Sequence, residues 1–403
     1  MTRVLFVDDE PQLLDGLKRM LRPQRQRWEM TFVSSGEAAL AELAAAPFDV
    51  IVSDMRMPGM DGAALLQHVK ENYPSAIRLI LSGHSEVKSA LAVVNTAHQF
   101  LSKPCDGALL AEVIQRTCNL RALLSDPKTL SVVGETASLP SLPLSFGQLT
   151  SALENPETSV ADLAAIVQQD VALCAKTLQV VNSAFFGLAR RVTNIEEAIG
   201  YVGTTLLKAL VLTAEVFRWS EQDQRLAAFS LAALQRHSTL TARIAMRLMS
   251  EKASAEDAFM AGILHDIGTL VLATRVPASF AETLKASAAQ KRPLSVVEAE
   301  VHGVTHAEIG AYLLGLWGLP TPIVEAVALH HAPARAGARS FDVLGAVYVA
   351  NILAHEQTPA RAEGTGELHE PFDLAYLDAM GVTDRLPAWQ RIAAKQIEAM
   401  DGA

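Results

Sequence analysis

Residues 4–11 read VLFVDDEP, an apolar run that stops at two adjacent aspartates. The run VLFV (4–7) has the composition of a short strand, and four more follow it: MTFV (30–33), DVIVS (49–53), IRLIL (77–81) and HQFL (98–101). Between them lie stretches with apolar residues at helical spacing, among them LLDGLKRML (13–21), GEAALAELAA (36–45) and DGAALLQHVK (61–70). A helix from Asp106 to Leu124 closes the series. Strands alternating with helices predict βαβ units, so the first ~120 residues are expected to form an α/β, doubly wound, five-stranded parallel sheet with five helices.

Ligands of such sheets bind beyond the carboxyl ends of the strands. Asp8 and Asp9 follow the first run, Asp54 the third, Ser82 the fourth, and Lys103 with Pro104 behind it the fifth, so these residues converge on one edge. Three carboxylates placed together repel one another unless a cation joins them, and an oxygen-only set with room for water suits Mg²⁺. One carboxylate can then attack a phosphoryl group while Lys103 and the Ser82 hydroxyl stabilise its equatorial oxygens. The chemistry of this edge is phosphoryl transfer.

The motifs VDDEP, SDMRMPGMDG, LSG and FLSKP resemble the receiver domain of bacterial two-component response regulators over residues 1–122. The resemblance implies Asp54 as phosphoacceptor, Asp9 with Asp8 beside it as Mg²⁺ ligands, and the backbone carbonyl of Arg56 as a further ligand. It also implies Ser82 as the switch hydroxyl, Lys103 as the phosphate contact and Phe100 as the aromatic switch. The expected donor is a sensor histidine kinase. Phosphorylation is expected to modulate a homodimer through the face made by the fourth helix, fifth strand and fifth helix.

At 403 residues the chain exceeds the size at which one core stops growing, so a second domain is expected. SDPKTLSVVGETASLPSLP (125–143) reads as linker, and beyond it the period is helical almost throughout. Examples are SVADLAAIVQQDVALCAKTLQVV (159–181), IEEAIGYVGTTLLKALVLTAEVF (195–217) and LAAFSLAALQRHSTLTARIAMRLM (226–249). TPARAEGTGELHEP (358–371) reads as a loop and RIAAKQIEAM (391–400) as a last helix. The expected division is a receiver over 1–122, a linker over 123–138, an all-α domain over 139–390 and a tail over 391–403.

Half the residues are apolar and the formal net charge is −10, which argues for globular domains and against a broad nucleic-acid-binding face. LRPQRQRW (21–28) and GLARRV (187–192) are short basic stretches, and no basic helix-turn-helix follows the first domain. Cys105, Cys118 and Cys174 are odd in number and lack CxxC spacing, which fits a reducing cytoplasm. Apolar runs such as LLKALVLTAEVF are interrupted by Lys208 and Glu215, so no membrane span is expected.

The second half poses a sharper question at AGILHDIGTLVL (261–272), where a histidine and an aspartate sit inside an apolar stretch. That stretch, the long segment 139–187 ending in NSAFFG, VTNIEEAIGYVG (192–203) and LLGLWGLPTPIVEAVALHH (313–331) resemble the HDOD family, the HD-related output domain. Asn182, Ser183, Phe185, Phe186 and Gly187 form its most recognisable patch, which reads structurally as a helix end closed by Gly187 with two Phe in the core. The resemblance places His237, His265, Asp266 and Asn351 where catalytic HD hydrolases bind a divalent metal. His306, His330 and His331 match the further histidines of HD-GYP phosphodiesterases.

Imidazole with carboxylate suits Fe, Mn, Zn or Ni. Three departures count against hydrolysis. Asn351 stands in YVANILAH where a catalytic HD protein has Asp, Thr269 stands where many have a phosphate-contacting Lys, and APARAGARS (332–340) lacks Gly-Tyr-Pro. Two readings therefore stand: a protein-interaction output module that signals to a downstream protein, with His265 and Asp266 as a satisfied buried pair, or a regulated metal-dependent phosphohydrolase or cyclic-dinucleotide phosphodiesterase. His302 and His355 have weaker claims on the site.

Overall fold

A computed structural model describes residues 1–83, 96–103, 105–123, 143–155, 157–182, 188, 191–213, 229–337, 340–357 and 371–401. Two compact units emerge, one of Met1–Ser138 with Gln179–Arg191 and Gly315–Gly318, the other of Leu139–Leu178, Val192–Leu314 and Leu319–Ala403. The first holds a parallel sheet of β1 (Thr2–Val7), β2 (Trp28–Val33), β3 (Val50–Asp54), β4 (Ile77–Gly83) and β5 (Gln99–Lys103), in the order β2-β1-β3-β4-β5. All five expected strands form. Every residue of β3 is buried, as is Val4–Val7 of β1, which is why these strands read as continuous apolar runs rather than alternating ones.

Helices α1 (Pro11–Met20), α2 (Gly36–Ala45), α3 (Gly62–Asn72) and α4 (Gly107–Leu123) accompany the sheet; the fourth of the five expected helices lies outside the described residues. Proline opens α1, while Ser35 and Asp61 cap α2 and α3 by accepting from the amides of Ala38 and Ala64 at 3.1 and 2.8 Å. Because strand order reverses between β1 and β3, the carboxyl ends of those two strands form the crevice where this fold binds ligands. Gly62 lets α3 start against that crevice, since a Cβ there would lie 2.0 Å from the backbone oxygen of Asp54.

The second unit is helical throughout its described residues: α5 (Pro143–Glu154), α6 (Val160–Val167), α7 (Val171–Val181), α8 (Ile195–Thr213), α9 (Leu231–Leu248), α10 (Lys252–Leu264), α11 (Ile267–Arg275), α12 (Pro277–Gln290), α13 (Leu294–His302), α14 (His306–Leu316), α15 (Thr321–Leu329), α16 (Val343–Gln357), α17 (Leu374–Ala379) and α18 (Leu386–Asp401), with short 3₁₀ turns between some of them. The apolar stretch 159–181 is two helices, because buried Asp170 accepts from the Leu173 amide at 3.0 Å and restarts the helix. A second break falls in α8, where Gly203 takes φ 75°. The linker 125–142, most of the loop 358–371, and Ser183, Phe185, Phe186 and Gly187 lie outside the described residues.

Helix α9 packs against α10 and α16, which also meet each other, and α15 joins both α10 and α16. Lys252–Arg275 is long and apolar enough to cross a membrane by composition alone, but 83% of its apolar window is buried in this protein, as befits a core segment. At Gly268 the backbone of α11 meets that of α14, and a Cβ there would lie 1.9 Å from the His306 carbonyl oxygen. Gly268→Ala is expected to force these helices apart and cost about 1–3 kcal/mol, read as a lower unfolding midpoint of the helical unit in urea. An unchanged midpoint would show that the helices separate freely.

Candidate functional site

The edge of the sheet is built by register. Val7 of β1 pairs with Ser53 of β3, so Asp8 emerges beside Asp54, and Gly83 of β4 pairs with Lys103 of β5. Ligand atoms of Asp8, Asp9 and Asp54 all lie within 4.8 Å of one another. Lys103 Nζ reaches between them, 2.8 Å from Asp8 Oδ2 and 2.5 Å from Asp54 Oδ1. The second Asp54 oxygen accepts from the Arg56 amide at 3.3 Å, and an Asp8 oxygen accepts from the Glu10 amide at 3.0 Å.

Burial raises the Asp54 carboxyl above its ordinary value, against the pull of Lys103. Lys103 is raised because its hydrogen bonds and charge contacts with Asp54 and Asp8 outweigh the opposing effect of burial. This oxygen-only set fits a hard divalent cation such as Mg²⁺. Ser82 pairs with Ser102 along β4 and β5, and Phe100 with Ile80; their side chains lie outside what the structure describes.

The helical unit brings together all seven residues singled out there. His265 ends α10 and Asp266 begins α11, so the pair occupies the corner between two core helices. Asp266 is almost fully buried and four imidazoles surround its carboxylate: Nε2 of His265 lies 3.1 Å and Nε2 of His237 3.9 Å from Oδ2, while Nε2 of His306 and of His330 lie 3.4 and 3.5 Å from Oδ1. His331 adds a fifth ring, its Nε2 3.0 Å from that of His306. Asn351 Oδ1 accepts from His237 Nε2 at 2.8 Å, which satisfies that nitrogen within the protein.

The other imidazoles are held by their far nitrogens. His265 Nδ1 donates to the Gly262 carbonyl and His330 Nδ1 to the Val327 carbonyl, each at 2.8 Å. A neutral imidazole that donates through Nδ1 keeps its lone pair on Nε2. In both residues that Nε2 is buried, turned toward Asp266, and without a hydrogen-bond partner. Fixing one ring nitrogen on an oxygen acceptor so that the other points into a cluster is how proteins orient metal-binding histidines.

Burial, with neighbouring imidazoles, pushes His237 and His331 well below the usual histidine range and lowers His330 as well. Burial thus favours the neutral form of these three rings. Burial would raise the Asp266 carboxyl, yet the rings of His265, His306 and His330 around it hold it well below the usual carboxylate range. Burial would likewise lower His306, yet Glu298 and Asp266 raise it well above the ordinary value.

Two groups each converge within metal-ligating reach, His237 with His265 and Asp266, and His306 with His330 and His331. Nε2 of His306 and of His331 lie 3.0 Å apart, close enough to share one ion. The donor set of imidazoles and one carboxylate fits Zn, Fe, Mn or Ni, and the orphaned Nε2 atoms are where such an ion would bind. Thr269, in the position that many HD hydrolases fill with Lys, is buried on α11.

Two further residues belong to the cluster. His355 lies four residues after Asn351 on α16, hence on the same face, and its ring stacks on His237 with centroids 4.1 Å apart. Glu298 is fully buried and its Oε2 accepts from both the backbone amide and Nδ1 of His306, at 2.8 and 2.7 Å. His302 turns away and contacts Thr283 Oγ1 at 2.9 Å.

An acidic edge on a parallel sheet and a buried histidine–aspartate cluster in a helical unit suit a receiver domain and an HD-related domain. Residues 4–115 match the response regulator receiver domain family and residues 139–333 the HDOD domain family, so the chain carries a receiver domain followed by an HDOD domain. Among solved structures, the MmoQ response regulator of Methylococcus capsulatus aligns with 63% of this chain and 98% of its own, at 24% identity and a TM-score of 0.50, a likeness of fold.

An uncharacterized protein of Treponema pallidum is 30% identical over 203 residues, which cover 50% of this chain and 39% of that protein. The hydrogenase transcriptional regulatory protein HoxA of Cupriavidus necator is 32% identical over 137 residues, 34% of this chain and 28% of that one. The chain thus spans well under half the length of these curated relatives. The domain combination fits a response regulator with an HD-related output domain.

Asp266→Ala would leave the surrounding imidazoles with no carboxylate at their centre. Removing one partner of such a buried charged network costs about 3–5 kcal/mol. Chemical denaturation is expected to show that loss in the helical unit; a change of under about 1 kcal/mol would mean the cluster is not held by this charge.

Proposed function

We propose that this chain is a bacterial two-component response regulator that accepts a phosphoryl group on Asp54 from a sensor histidine kinase and signals through its HDOD domain to a downstream protein. What supports the reading is the Asp8–Asp9–Asp54 cluster at the β1/β3 crevice with Lys103 between two of its carboxylates. An Asp54 oxygen attacks phosphorus, the bond from phosphorus to the kinase imidazole breaks, and that imidazole leaves. Asp8, Asp9, Asp54 and the Arg56 carbonyl would hold Mg²⁺, which supplies charge neutralisation at the phosphoryl oxygens. Lys103 exchanges its Asp54 partner for a phosphoryl oxygen, and Ser82 and Phe100 respond as switch residues, altering a homodimer in the cytoplasm.

For the HDOD domain, the orphaned Nε2 atoms of His265 and His330 favour a bound divalent transition metal. Turnover is the weaker part of that second reading. His237 is already satisfied by Asn351, a neutral oxygen that lends the site no charge, and Thr269 offers no cation to a phosphate. We therefore infer a partner-binding domain whose cluster holds a metal without hydrolysing a phosphodiester.

Incubation with acetyl phosphate and Mg²⁺ is expected to add about 80 Da to the intact chain and nothing to Asp54→Ala. Equal addition to both would sink the receiver reading. Protein purified without chelator is expected to carry a transition metal by elemental analysis, and to leave cyclic dinucleotides and simple phosphoesters intact. Turnover that His265→Ala and Asp266→Ala both abolish would instead make the domain a phosphohydrolase.

A further inference from the structure

Resting on the metal reading of the HDOD cluster, we propose that Glu298 is a positioning residue that aims the His306 imidazole at the metal and supplies, one bond removed, the negative charge that Asn351 lacks. Helix α13 carries two glutamates that part company. Glu300 is exposed and pairs with Arg292 at 2.5 Å, whereas Glu298, two residues earlier and on another face, has no exposure at all. A carboxylate is not buried without return.

Among the described contacts, its hydrogen bonds both come from His306. Glu298 Oε2 accepts the first free amide of α14, the His306 N–H, at 2.8 Å and the same residue's Nδ1–H at 2.7 Å. The first contact places the carboxylate at the positive end of α14, where a negative charge is favoured. The second selects the tautomer. With Nδ1–H committed to the carboxylate, Nε2 is the nitrogen left to give up its proton to a metal, and Nε2 is the atom that faces Asp266 Oδ1 at 3.4 Å and His331 Nε2 at 3.0 Å.

His265 and His330 are oriented the same way, but by backbone carbonyls of neutral Gly262 and Val327. Of these three rings, His306 alone leans on a full charge, and a carboxylate behind an imidazole makes it a stronger donor to a cation. An Asn in place of an aspartate ligand removes one negative charge from the metal's surroundings. Glu298, bound through His306, puts one back at second remove. Gly268 makes the arrangement sterically feasible by letting the His306 backbone pass within contact of α11.

The test titrates the full chain with Co²⁺, whose visible absorption reports coordination, in wild type and Glu298→Gln. Glutamine keeps the shape and removes the charge. Affinity is expected to fall about 10- to 100-fold with a changed Co²⁺ spectrum, and the ring-nitrogen shifts of His306 are expected to move away from the Nδ1–H tautomer in ¹⁵N-histidine spectra. Glu298→Asp, which retains the charge, is expected to recover part of the affinity. If the glutamine variant does not fold by circular dichroism, Glu298→Asp carries the comparison alone, and the carboxylate drawn back by one methylene is then expected to weaken Co²⁺ binding. Unchanged affinity and spectrum in a folded variant overturns the role of Glu298, whereas failure of the wild type itself to bind Co²⁺ overturns the metal reading beneath it.

Discussion

One buried carboxylate organises the helical half of this protein. Asp266 sits in an apolar core with four histidine rings turned on it, and an isolated carboxylate in such surroundings would be too costly to keep charged. The corner between α10 and α11 exists to deliver it: His265 and Asp266 are consecutive, so the chain must turn there for both side chains to reach one centre. Helices α9, α13, α14, α15 and α16 each bring a residue to the same place. Their packing is therefore tied to electrostatics as much as to the apolar contacts between them.

The receiver half solves a related problem by a different route. Its acidic cluster lies at a sheet edge, where register rather than helix packing decides which side chains meet. Lys103 lies between Asp8 and Asp54 there, so the crevice is partly neutralised by the protein itself. In the helical half no lysine or arginine plays that part toward Asp266 among the described contacts, and burial lowers two of the four rings around it, His237 and His330. That difference separates an acidic crevice suited to an exchangeable hard cation from a buried cluster suited to a resident metal.

Much of this was legible in the sequence because the signals were local. Each strand of the sheet announced itself as a short apolar run, and the acids that follow the runs fell where the strand ends put them. The break at Asp170 was not legible, because a capping side chain inside a long apolar stretch looks like one more polar residue on a helix face. Glu298 was missed for a similar reason: beside Glu300, in EAEVH, it resembles a solvated acidic face. Its separation of eight residues from His306, across the left-handed turn at Gly303, was the signal that could have found it. His355 was available from its i+4 spacing to Asn351, which places both on one face of α16.

The groups of the helical cluster come mainly from the ends of helices rather than their middles: His265 and His330 at carboxyl caps, Asp266 at an amino cap, His306 at the first position of α14. Helix ends are where regular structure frays first. An ion seated among them would act as a clasp on several termini at once, and by mass action its supply would set how often the bundle loosens. Heat resistance of the HDOD domain would then rise and fall with the free metal around it.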